Sequence, residues 1–138
     1  VDSISHYRSA SEANDLTRLM EATTADVEVV SPISGRMVFK GQKDVEFLLR
    51  AVYGVLRGQK WQEAIGEGDR RVLYGEARLL GVRLTDAMVF DLAPDGSIRR
   101  ISPHLRPWLA LTLFAVVLGP KVGIRPGVVW RALRNGAK

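Results

Sequence analysis

The amino-acid sequence predicts an α+β protein. Three observations carry the prediction: apolar residues recur at helical spacing near the start and again after Gly41, alternating strand patterns run from Lys60 to Leu105, and glycine-containing turns separate those strands. Helices first and antiparallel strands afterwards indicate a helical layer on a sheet, and not the repeated strand–helix–strand units of a nucleotide binder.

From Asp2 to about Thr24, Ile4, Tyr7, Ala10 and Ser11 form one helical stripe and Leu16, Leu19 and Met20 a second. Asn14-Asp15 divides them, because these short polar side chains favour caps over helix interiors. One helix, a break and a further turn or two from Asp15 are expected, with Tyr7 on the buried stripe. Val27-Glu28-Val29-Val30-Ser31 alternates as a strand, Pro32 stops it, Ser34-Gly35 reads as a turn and Met37-Val38-Phe39 as a return strand. Gly41 opens a helix through Leu56, on which Val45, Leu48, Leu49, Val52 and Leu56 share a face, Asp44 and Glu46 suit the first turn, and Gly58 is the expected stop.

Four strands should follow: Lys60 to Gly66, Arg71 to Leu80, Val82 to Leu92 and Ser97 to Leu105, the last two joined by the hairpin signal Pro94-Asp95-Gly96. In the third, Val82, Leu84, Asp86, Met88 and Phe90 occupy one face. Four are apolar and the middle one is a carboxylate. Burying a charged carboxylate alone is costly, so Asp86 must be paired, protonated or turned to a wet cavity. Desolvation between Leu84 and Met88 raises its pKa and lets it donate a hydrogen bond. Asp86 is therefore the leading functional candidate.

Beyond the strands, Trp108 to Leu118 is an apolar run, followed by Gly119-Pro120 and then apolar residues mixed with Lys121, Arg125, Arg131, Arg134 and Lys138. As a helix the run spans roughly 16 Å against a hydrocarbon core of ~30 Å, so it is not a transmembrane helix. It is expected to cap the sheet or a partner subunit. The other use, a basic amphipathic anchor at a membrane surface, is opposed by Gly119-Pro120 and Pro126-Gly127, which are expected to break any long helix.

Composition excludes several classes. At 138 residues the chain reads as one main domain with enough length for a proper core. With no cysteine it has no disulfide framework, thiol nucleophile or zinc ribbon. The net charge of +5 is uneven: eight Arg or Lys and no acid lie between Ser97 and Lys138, leaving about −3 for the rest. A basic tail with few, scattered aromatics argues against nucleic-acid binding. The two histidines, His6 and His104, are too few for a metal site, and no phosphate loop, metalloprotease motif or serine-nucleophile elbow is present. The opening residues carry no basic-then-apolar signal pattern, and a cytoplasmic location is expected.

Residues 3–106, with the broken first helix, Val-Glu-Val-Val-Ser-Pro-x-x-Gly, a Gly-opened helix and strands ending in Asp-Gly-Ser-Ile-Arg-Arg-Ile, resemble the nuclear transport factor 2-like superfamily. The resemblance implies a cone: a curved antiparallel sheet wrapped around helices, a cystatin-like roll, with a deep pocket. It divides the chain into a ketosteroid-isomerase-like domain over 1–106 and an extension over 107–138 that packs on the domain or on a partner. It implies a small hydrophobic, oxygen-bearing ligand of polyketide, steroid or terpenoid type, no cofactor and no metal, and a homodimer. Ketosteroid isomerases use a helix Tyr and a protonated late-strand Asp as an oxyanion hole, with a carboxylate base before the Pro of the early strand. These positions fall on Tyr7, Asp86 and Ser31.

Serine cannot take a substrate proton near neutral pH without a further base. Isomerase or cyclase chemistry and non-catalytic ligand or protein binding therefore both stand as readings. Epoxide hydrolases of the superfamily hold an Asp-Arg-Asp set, for which Glu76, Arg78 and Asp86 are the nearest match. The expected ligand contacts are Ser31, Val82, Leu84, Met88 and His104, the last of which shares a face with Ser102 and Arg100.

Overall fold

Helix α1 (Ser3–Glu12) is capped by the Asp2 carboxylate, which accepts from the Ser5 amide at 2.8 Å, and α2 (Leu16–Met20) by Asp15, which accepts from Arg18. Each cap satisfies an amide that the first helical turn leaves without a partner. Between them Asn14 takes a positive φ of 55°, which lets the chain turn sharply enough for Ile4, Tyr7 and Ala10 to share one core with Leu16, Leu19 and Met20. The computed structural model describes residues 2–34 and 36–136; Gly35 of the expected turn and Lys138 of the basic tail lie outside these.

Six strands follow the first helices: β1 (Thr23–Val30), β2 (Val38–Lys40), β3 (Arg57–Ile65), β4 (Arg70–Leu79), β5 (Val82–Leu92) and β6 (Ile98–Arg106), with α3 (Gln42–Val55) between β2 and β3. They form one curved open sheet in the order β2-β1-β6-β5-β4-β3. Every neighbouring pair is antiparallel except β1 and β6, which run parallel. Register shifts in the β1–β6, β3–β4 and β5–β6 ladders add local twist, and this wraps the sheet around α1 and α3. The inner face carries Val27, Val29, Leu73, Leu79, Leu84, Phe90 and Ile101, all buried.

One close approach sets the bend between β3 and β4. Trp61 is 1% exposed and its indole donates to the Ser11 hydroxyl at 2.8 Å. Gly75 passes beneath it: a Cβ there would lie 2.8 Å from the Trp61 Cα and collide with the Lys60 carbonyl. No side chain fits without moving backbone.

Three boundaries depart from the sequence pattern. β1 begins at Thr23, whose hydroxyl donates to the Met20 carbonyl at 2.6 Å and joins strand to helix. Helix α3 ends at Leu56 and the chain enters β3 at once, so Gly58 does not stop the helix; with φ 64° it sits inside the strand, where the register slips between Arg57 and Lys60. The third concerns α4 (Trp108–Gly123), which continues through Gly119-Pro120. A mid-helix proline costs about 3 kcal/mol. Here Leu118 and Val122 are buried on either side of it, and their packing holds the helix together. The chain breaks instead before Pro126, turning by 115° into α5 (Pro126–Gly136).

The two C-terminal helices lie on the domain that precedes them. Ala110, Phe114, Leu118 and Val122, spaced by one turn, form the buried stripe of α4, which packs against α3, β5 and β6. Helix α5 lies against β2. Arg131 donates to both Asp44 carboxylate oxygens at 2.9 and 3.0 Å, and Asn135 donates to the Val38 carbonyl at 3.0 Å. The Arg125 guanidinium lies 4.6 Å from the Phe47 ring centre.

Candidate ligand-binding site

The sheet, α3 and α4 enclose a cavity of about 330 Å³. Strands β1 and β2 contribute Val29 and Phe39, β5 Asp86 and Met88, and β6 Ile101, Pro103 and Leu105. Helix α3 supplies Leu48, Leu49, Val52, Tyr53 and Leu56, and α4 closes the remaining side with Phe114, Leu118 and Val122. Ser31, Pro32 and the half-exposed Ile33 stand at the rim. The walls are almost wholly apolar, so the few polar atoms that reach the cavity determine how a ligand sits.

Asp86 is the carboxylate among them. It is 5% exposed, and its Oδ1 has no hydrogen-bond partner among the described residues. Burial pushes its carboxyl up to about 7, against a smaller downward pull from a hydrogen bond with the His104 backbone. Near neutral pH a large fraction therefore carries a proton, and the group can donate.

Tyr53 lies on the same cavity. It is 3% exposed, and its hydroxyl is 2.8 Å from that of Tyr7. Burial raises both phenols, chiefly by desolvation, so both stay protonated at neutral pH. Tyr7 itself is fully buried, packed edge-on to Phe90 at 4.9 Å between ring centres, and does not line the cavity. The helix tyrosine expected at the site thus stands behind Tyr53 and reaches a ligand only through it. Tyr53 is the residue that sequence reasoning missed. It lies four residues after Leu49 and eight after Val45, on the stripe already recognised in α3.

The remaining expected contacts divide. Met88 and Ser31 line the cavity. The Ser31 hydroxyl is occupied by its own turn, accepting from the amides of Ile33 and Ser34 at 3.2 and 3.3 Å. Leu84 is buried in the core away from the cavity, and Val82 is half-buried at the start of β5. His104 is exposed on the outer face of the sheet, with Nδ1 3.3 Å from the Ala87 carbonyl, because Pro103 and Leu105 take the inward positions of β6. It does share a face with Ser102, but that face points away from the cavity.

Glu76 and Arg78 are also on the outer face: Gly75 and Ala77 point inward between and beside them, and Glu76 pairs with Arg83 at 2.5 Å. The three-residue epoxide-opening set is therefore not assembled.

A curved sheet closed by helices over an apolar cavity, with one acid at its polar end, defines an α+β cone. Solved structures share it. An uncharacterized bacterial protein with a cystatin-like fold from Silicibacter pomeroyi superposes with a TM-score of 0.86 at 17% identity, covering 94% of this chain and 93% of its own. A steroid delta-isomerase from Pseudomonas aeruginosa gives 0.76 at 21%, covering 94% and 93%. A candidate polyketide cyclase from Sinorhizobium meliloti gives 0.63 at 21%, covering 74% and 93%. The chain has the nuclear transport factor 2-like fold. At these identities the likeness is one of fold. No family model matches the sequence. No curated protein matches it either.

Proposed function

We propose that the protein binds a small hydrophobic molecule bearing a carbonyl or phenolic oxygen, of polyketide, steroid or terpenoid type, with that oxygen at the Asp86–Tyr53 end of the cavity. One observation carries the reading: Asp86 and the buried phenol Tyr53 both line an otherwise apolar cavity, and the buried Oδ1 of Asp86 has no hydrogen-bond partner among the described residues. An unsatisfied polar atom of this kind costs about 1–3 kcal/mol, which a ligand oxygen would recover. The apolar walls hold the carbon skeleton. The isomerase and cyclase names among the structural neighbours are in keeping with such a ligand.

A catalytic reading rests on the same carboxyl. Near its pKa of about 7 it can both give and take a proton at neutral pH, as acid–base isomerisation or cyclisation requires. Ser31 supplies no second base.

Fluorescence titration with a phenolic steroid separates these ideas from simple apolar binding. Tyr53→Phe and Asp86→Leu should each weaken binding about tenfold, the worth of one buried hydrogen bond. Unchanged affinity in both variants rejects the site. Turnover of a β,γ-unsaturated ketone by the parent, abolished in Asp86→Leu, establishes catalysis; binding without turnover leaves a carrier.

A further inference from the structure

Helix α4 has two faces and almost no charge. Of its sixteen residues Lys121 alone is ionised, and the stripe from Ala110 to Val122, with Leu113 and Val117 partly buried beside it, faces the rest of the chain. The opposite face is apolar too. Trp108 and Val116 are 77% and 65% exposed and Leu109 is 51% exposed; beyond the bend Ile124, Trp130 and Leu133 are 74%, 66% and 45% exposed. A helix apolar all round belongs in a medium that covers both sides.

Charge selects the medium. Arg106, Lys121, Arg125 and Arg134 are exposed around these residues, Arg131 is already held by Asp44, and the sequence contains no carboxylate after Asp95. In a two-fold dimer through this face the same patch would meet itself, and its cations would find cations. A layer of anionic lipid headgroups supplies the missing charge, while tryptophans favour the headgroup level of a bilayer. Among the described residues no single helix is long and apolar enough to cross a membrane, and the 115° bend keeps α4 and α5 from acting as one rod.

We infer that α4 and α5 dock the protein in the interface plane of an anionic bilayer. Gly119 and Gly123 are exposed and also line the cavity, so the docked surface would include the cavity's rim. Entry of a lipid-soluble ligand from the bilayer is a consequence that rests on the ligand-binding reading; the docking does not.

The test is co-sedimentation of the full chain with vesicles of phosphatidylcholine, with and without phosphatidylglycerol. The protein should pellet with the anionic vesicles only, release several-fold as salt is raised, and show a blue shift in tryptophan emission. Val116→Asp should lose at least tenfold in binding at unchanged Tm, since that position is exposed. Lys121→Gln and Arg134→Gln should each lose about fivefold. Equal pelleting with both vesicles, or with neither, overturns the inference. So does a concentration-dependent dimer in sedimentation velocity that Val116→Asp dissociates, because a second copy would then cover the face.

Discussion

Asp44 and Asp86 are buried to similar depth, at 8% and 5% exposure, and their surroundings differ in kind. Asp44 sits in the first turn of α3, where the helix end favours negative charge, and both its oxygens are held by Arg131. Asp86 sits in mid-strand among Leu84, Met88 and the cavity walls, with one oxygen uncommitted. The pair teaches that depth of burial does not mark a functional acid. Asp44 spends its bonds fastening α5 to α3, whereas Asp86 keeps capacity for a ligand.

The largest expected effect is on stability against pH. The Asp86 carboxyl is raised from 3.8 to about 7, so between those values the folded chain keeps a proton that the unfolded chain has lost. The stabilisation is fully present below about pH 4 and is lost as pH rises through about 7, a swing of about 4 kcal/mol. Urea denaturation of the parent and of Asp86→Asn across this range isolates it. The variant's relative stability should grow with pH and level off above about 7; a difference independent of pH would contradict the raised Asp86 carboxyl.

Breaking the other pair should cost less. Arg131→Ala strands the buried Asp44, but because the Arg131 side chain is 47% exposed, water screens the pair and the loss should be well below the Asp86 swing. Hydrogen exchange in α5 should speed up accordingly. No change in either measurement would remove the fastening role from the comparison. Smallest is Tyr7→Phe, which removes one buried hydrogen bond, about 1 kcal/mol, and should weaken a phenolic ligand less than Tyr53→Phe does. A greater loss would place Tyr7 at the ligand itself.

Much of this was legible in the residues. A strand has a period of two, so Leu84, Met88 and Phe90 fixed the side to which Asp86 points. The same rule paired His104 with Ser102 but could not say which face of β6 was inward; that depends on the partner strand and on where α4 lies. Helical spacing marked Leu49 and Val52 in α3 and equally contained Tyr53, four residues after Leu49 on the same stripe. Gly119-Pro120 misled for a different reason: local propensity opposes a helix there, and tertiary packing of Leu118 and Val122 overrides it. The Asp44–Arg131 contact joins residues 87 positions apart and has no local signature at all.

Gly75 lies directly opposite Asp86 across the β4–β5 ladder, with Trp61 seated on its other side. It does not line the cavity and carries no side-chain chemistry, yet any replacement forces the β3 backbone away from β4. Asp86, by contrast, should tolerate an uncharged substitute, and above neutral pH such a substitute should relieve the chain of a buried charge. A map of mutational tolerance drawn over this sheet should therefore show its deepest intolerance one strand away from the carboxyl proposed to hold a ligand, so that constraint from folding and constraint from the proposed binding would fall on two residues that face each other.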